Sequence, residues 1–201
     1  MIFQMHHNRN GLPALHIETP EFIAEILLQG AHVTRFFSKV VQRELLWVAP
    51  NETWISGHAI RGGVPLAFPW FGVLSQHPNY PRHGFVRNLS WQISGAPEHK
   101  PSGNVSLTLA LTDSPVTQVM FPHAFKLDLH LVLDASGLHQ ELVIHNTGTT
   151  PFTCEALLHP YFAVEDISSV TVKGLEGSTY LDKVKNLVDV PQTGLLSIPG
   201  N

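Results

Sequence analysis

The sequence predicts an all-β protein, a large antiparallel β-sandwich, and three observations carry that reading. Apolar residues recur with a period of two over several segments, as in strands with one buried face. Turn-forming clusters separate these segments at short intervals. Fifteen glycines and fifteen prolines are spread along the whole chain, and no segment has a convincing helical period.

The elements follow in chain order. Residues Glu21 to Leu28 could form a helical turn. Ile23, Ile26 and Leu27, with the following Gly30-Ala31-His32-Val33, suit a pair of strands at least as well. Val105 to Leu111 alternates as a strand. Phe125, Leu127, Leu129, Leu131 and Leu133 alternate with Lys126, Asp128, His130, Val132 and Asp134. Ala135-Ser136-Gly137 is a turn, after which Leu138, Gln140, Leu142 and Ile144 alternate with more polar neighbours. Asn146-Thr147-Gly148 is the next turn, and Ser169 to Val172 a further short strand. Between Trp54 and Trp91 the alternation fails. That stretch is dense in Gly, Pro, aromatics and Arg, and its aromatics favour a binding loop over disorder.

Composition narrows the functional classes. The 201 residues suit a single domain spanning 1–201 with a sizeable core. Charged residues make up 14%, against about 25% in an average domain, which argues against a disordered chain. The formal charge is -4 and no basic tract is present, so neither nucleic acid nor a membrane surface is an expected partner. The longest apolar stretch, near Gly63 to Leu74, is short and broken by Pro65 and Pro69. The opening Met-Ile-Phe-Gln-Met-His-His lacks a basic start and an apolar core, and Cys154 is the single cysteine. A cytoplasmic location is the expectation. The 13 histidines show no HxxxH, HxH or CxxC spacing, so no metal is expected.

Five residues are candidates for chemistry. Arg61, Arg82 and Arg87 cluster in the irregular stretch of a charge-poor chain. A guanidinium is always protonated and offers a planar fork that fits a phosphate. The alternative is that each arginine satisfies loop carbonyls or pairs with a surface carboxylate. His83 stands between two of them and precedes Gly84, which permits a positive φ or close backbone approach. His159 lies in the apolar run Glu155 to Val164, where partial desolvation would suit general acid work. For each histidine the alternative is a structural ring bonded to a carbonyl or packed in the core. Cys154, beside Phe152, reads as a small core residue.

Four separated blocks resemble the glucose-6-phosphate 1-epimerases of the galactose-mutarotase-like superfamily. They are Ile60-Arg61-Gly62-Gly63-Val64-Pro65 with Phe68-Pro69-Trp70-Phe71-Gly72; His83-Gly84-Phe85-Val86-Arg87-Asn88; Leu157-Leu158-His159-Pro160-Tyr161-Phe162; and Val172 to Gly177 with Tyr180 to Lys183. The resemblance implies a galactose-mutarotase-like sandwich that interconverts α and β anomers of a hexose 6-phosphate without metal or organic cofactor. It implies that His159 is the general acid at the ring oxygen and that His83 is a second active-site histidine contacting substrate. It implies substrate-binding roles for Arg61 and Arg87. Arg82 falls at a substrate-contacting position where relatives often carry glutamine.

Two departures from the pattern stand out. Pro160 replaces a usual threonine beside His159 and removes a backbone donor. The family's general base is a glutamate near the C-terminus of a usual member, and a substrate-binding aspartate lies in the same region. The matched blocks correspond to roughly the first two-thirds of a member, so the expectation is a domain incomplete at its C-terminus. Glu155, Glu165 and Glu176 occupy neither position. The competing expectations are a sugar-phosphate-binding module without the base and an aldose 1-epimerase for unphosphorylated sugars. The arginine cluster disfavours the second.

Overall fold

The computed structural model describes residues 2–8, 10–101, 103–182, 185 and 187–198. The chain divides into two compact units, residues 1–163 and 164–201.

In the first unit, strands β1 (Ile2–His7), β2 (Pro13–Glu18), β3 (Phe22–Leu27), β4 (His32–Ser38) and β5 (Arg43–Glu44) pair antiparallel in chain order. Residues 21–33 therefore form strands rather than a helical turn, joined at Gly30 and Ala31 with φ of 76° and 48°. The chain then crosses the irregular stretch, where the only regular pieces are a two-residue strand, β6 (Leu66–Ala67), and a single 3-10 turn over Val86–Asn88. A second antiparallel sheet follows. Its strands are β7 (Gln92–Ile93), β8 (Glu98–His99), β9 (Val105–Thr112), β10 (Phe125–Asp134) and β11 (Gly137–Asn146), in the order β11-β10-β9-β7, with β8 also on β9.

Period-two alternation sets the core. Leu15 and Ile17 of β2, and Phe22, Ala24 and Ile26 of β3, share one apolar cluster with Val105, Leu107 and Leu109 of β9 and Phe125, Leu127, Leu129, Leu131 and Leu133 of β10. All five β10 residues are fully buried. Each buried leucine is worth roughly 1.5–3 kcal/mol relative to exposure. Phe68, Trp70, Phe85, Val86 and Trp91 of the irregular stretch join the same cluster. The loop that looked unstructured by pattern is thus anchored by its aromatics.

One helix escaped the sequence reading. The segment α1 (Pro115–Met120) is a six-residue helix closed by a capping box between Ser114 and Thr117, with proline in its first turn. It is too short to show a helical period. A last strand of this unit, β12 (Leu157–Leu158), pairs with β6.

The second unit holds two short ladders: β13 (Thr171–Val172) with β16 (Leu196–Ser197), and β14 (Thr179–Asp182) with β15 (Val188–Pro191). The strand expected from Ser169 is confined to Thr171–Val172, because Asp166 caps a 3-10 turn over Ile167–Ser169. Among the described residues, no helix is long and apolar enough to cross a membrane.

Candidate active site

The β6–β12 pairing builds the site. Beyond Leu157–Leu158 the chain stays extended. The His159 amide donates to the Pro65 carbonyl at 3.1 Å and the Tyr161 amide to the Gly63 carbonyl at 2.9 Å. The donors used are those of residues 159 and 161. The amide that Pro160 lacks would point to the other edge, so proline is tolerated there. Trp47 joins from the other side: its amide donates to the Tyr161 carbonyl at 2.9 Å, and its carbonyl accepts from Gly63 at 2.8 Å.

His83 is placed by a close backbone approach. Its φ of 64° and the 71° of Gly84 both lie in the left-handed region. A Cβ on Gly84 would fall 1.8 Å from the Phe68 carbonyl oxygen, so only glycine fits. The His83 amide donates to the Gly72 carbonyl at 2.7 Å, and the Gly72 amide donates to His83 Nδ1 at 3.0 Å. Phe71 packs on the imidazole, ring centroids 4.6 Å apart.

Arg87 is carried on the 3-10 turn. The Trp91 indole donates to the Val86 carbonyl at 3.0 Å, and Gly30 fits against the Arg87 backbone where a Cβ would meet its carbonyl oxygen at 2.8 Å. Arg87 Nη2 donates to the Arg82 carbonyl at 2.6 Å. Its Nε is buried with no hydrogen-bond partner among the described residues. Burial pushes the guanidinium below its ordinary value; nearby Tyr161 opposes that shift and Arg82 adds to it.

These residues meet in one small cleft of about 50 Å³, open to solvent and lined by His83, Arg87, His159, Tyr161, Phe71 and the β6–β12 backbone region. Tyr161 stacks on Trp47 at 6.1 Å and lies 4.9 Å from His159, ring centroid to ring centroid. His159 is exposed in the cleft mouth rather than desolvated by the apolar run around it, because the ribbon has one open face.

The two remaining arginines sit outside the cleft lining. Arg61 is exposed, with its guanidinium 5.9 Å from the Trp47 ring centroid and its amide donating to Glu52 Oε2 at 2.8 Å. Burial tends to raise the Glu52 carboxyl, but donation from the Arg61, Thr53 and Trp54 amides outweighs it and holds the group below its ordinary value. Arg82 is exposed and offers the site its carbonyl. Among the described residues no three His, Cys, Asp or Glu side chains converge as a metal site. Cys154 is half-buried against the core, and burial pushes its thiol up.

Residue-type reasoning passed over Tyr161, Phe71, Trp47 and His32. Tyr161 had a signal: in an extended segment, position 161 shares a face with 159. His32 had none. It is fully buried beneath the Arg61-Gly62-Gly63 turn, its Nε2 donating to the Gly62 carbonyl at 2.7 Å, and burial pushes it down to about 4.

Comparison with known proteins supplies a lineage. The family model described as aldose 1-epimerase matches residues 13–198. A candidate glucose-6-phosphate 1-epimerase of Escherichia coli (strain K12) is 37% identical over 175 residues, covering 87% of this chain and 56% of the relative. A counterpart from Salmonella typhimurium is 36% identical over 88% of this chain and 57% of its own length. The chain thus spans about half the length of the curated relatives it matches. The crystal structure of a candidate mutarotase (YeaD) from Salmonella typhimurium superposes with a TM-score of 0.87 at 33% identity, over 98% of this chain and 64% of that one.

Proposed function

This chain belongs to the aldose 1-epimerase family, and on that premise we propose that it interconverts the α and β anomers of a hexose 6-phosphate. The observation that carries the reading is the cleft itself. Two histidines and an arginine with a buried, unpartnered Nε line one open pocket. A guanidinium N–H left without a partner in a buried position is costly, and an anion seated there would satisfy it.

In the proposed reaction, His159 delivers a proton to the ring oxygen from the exposed cleft mouth. The proton on the anomeric hydroxyl leaves to a base, the ring opens, and the aldehyde rotates and recloses. A positioned acid is worth ~10²–10⁴-fold. Arg87 holds the phosphate, so the open chain stays oriented through the rotation. Arg61 and Arg82 extend the positive field at the rim. Among the described residues, no carboxylate lines the cleft. The roles proposed for these residues are the acid, the phosphate hold and the orientation of the sugar.

Polarimetry on freshly dissolved α-glucose 6-phosphate, with and without the protein, tests the reading. Faster approach to the equilibrium rotation supports it. An unchanged rate, with sugar phosphate bound, would leave a binding module instead.

A further inference from the structure

We propose that His32, a fully buried residue outside the cleft lining, is a positioning residue for the site. Through one hydrogen bond to the Gly62 carbonyl it holds the turn that carries Arg61 and from which the His159 segment hangs. The proposal rests on reading the cleft as the sugar-phosphate site. It gives work to a histidine that the proposed reaction leaves unused.

His32 is the first residue of β4, which pairs with β3 and β5 inside the first sheet, so the ring stands on a rigid element. Its Nε2 lies 2.7 Å from the Gly62 carbonyl oxygen. A carbonyl only accepts, so the proton sits on Nε2. Burial pushes the ring down to about 4, and near neutral pH it is an uncharged donor. The turn is fitted to the ring. A Cβ on Gly63 would fall 2.7 Å from His32 Nε2 and 2.4 Å from the Val33 carbonyl oxygen, an approach that only glycine permits.

The turn carries the site in two directions. On one side the Arg61 amide donates to Glu52 Oε2 at 2.8 Å, and the Arg61 carbonyl accepts from Ala49 at 2.9 Å. On the other side the Gly63 carbonyl accepts from the Tyr161 amide at 2.9 Å, and the Pro65 carbonyl from the His159 amide at 3.1 Å. The register of the His159 segment is thus set against residues 63–65, and residue 62 is set on His32. Charge places the ring near both sides, since Arg87 acts against its protonation and Glu52 in favour. Removing the donor takes a hydrogen bond from a buried carbonyl, and the turn must move to recover it.

The test compares His32→Leu, His32→Gln and Leu129→Ala with the unaltered protein. The readouts are the Tyr161 amide and His159 ring resonances by ¹⁵N–¹H NMR without sugar at pH 7.5, and calorimetry with glucose 6-phosphate. Leucine fills space without a donor. Glutamine restores a donor. Leu129→Ala lowers stability in the core and reports what destabilisation alone does. In His32→Leu the Tyr161 and His159 resonances should move, and binding should weaken roughly two- to ten-fold, the factor that one neutral hydrogen bond carries. His32→Gln should return both toward the unaltered protein, and Leu129→Ala should change neither. Resonances that stay in place in folded His32→Leu, or that Leu129→Ala shifts equally, would overturn the proposal. If His32→Leu does not fold, His32→Gln decides: resonances in place support the anchor, and displaced ones overturn it. The sugar-free spectra need neither binding nor turnover, so their failure is separate from a failure of anomer exchange, which polarimetry detects.

Discussion

Arg87 donates from Nη2 to the main-chain carbonyl of Arg82 at 2.6 Å, so the Arg82 backbone holds one end of the Arg87 guanidinium. Arg82 fixes the direction of the Arg87 guanidinium, and its own side chain points into solvent-exposed space.

That relationship separates the two side chains by experiment. Arg87→Met should weaken glucose 6-phosphate binding by about 1.5–3 kcal/mol, roughly ten- to a hundred-fold, and bring it near the affinity for glucose. Arg82→Ala keeps the carbonyl and should cost much less. Calorimetry at two salt concentrations checks both, since the phosphate contribution of the unaltered protein should fall as salt rises. Equal losses for the two variants would contradict the geometry.

The buried His32 predicts a pH dependence of stability. Its ordinary value is 6.5 and its folded value about 4. Between these the unfolded chain binds more protons than the folded one, so stability rises with pH through this window. The contribution is complete above pH 6.5 and is lost as pH falls toward 4, to a total of about 3 kcal/mol. Arg87 and Glu52 both act on the ring, Arg87 against protonation and Glu52 in favour. His32→Gln can still donate to the Gly62 carbonyl but does not titrate. Urea unfolding at pH 7.5, 5.5 and 4.5 should therefore show the stability gap between the two proteins changing in favour of the variant as pH falls. Parallel curves would exclude His32 as the cause.

Gly84→Ala tests the approach that places His83. A left-handed conformation costs a non-glycine residue roughly 1–2 kcal/mol. The added methyl must also displace the Phe68 carbonyl, which it would meet at 1.8 Å. The variant should lose at least that much stability by denaturant titration, and more from the clash. The shift of the His83 ring resonances should accompany the loss. In the core, Leu129→Ala should cost about 2–5 kcal/mol and leave those resonances in place.

The parts of this molecule that could be read from sequence are those governed by local periodicity. β10 and β11 begin and end within a residue or two of the alternating runs, because one face of each meets the core and a Ser-Gly turn joins them. α1 could not be read in this way, since its stability lies in the Ser114–Thr117 cap and not in an apolar stripe. The irregular stretch could be located but not folded on paper. Its order comes from Phe68, Trp70, Phe85 and Trp91 entering the core of a distant sheet. The same holds for the site. His83, Arg87 and His159 were visible as residue types and through resemblance. The Phe71 amide donates to Glu155 Oε2 at 2.7 Å across 84 positions of sequence, which no local pattern encodes. The burial of His32 depends on the Gly62-Gly63 turn lying over it.

The central claim, anomer interconversion with His159 as the acid, is tested most directly by two-dimensional NMR exchange between the α and β anomers of glucose 6-phosphate. The unaltered protein, His159→Gln and a protein-free control would be compared at one pH, with glucose as the second sugar. The account predicts exchange cross-peaks with the unaltered protein, a fall of ~10²–10⁴-fold in the protein-dependent rate for His159→Gln, and slower exchange of glucose than of its 6-phosphate. A protein-dependent rate that His159→Gln leaves unchanged, or no protein-dependent rate for a sugar phosphate that binds, would contradict it.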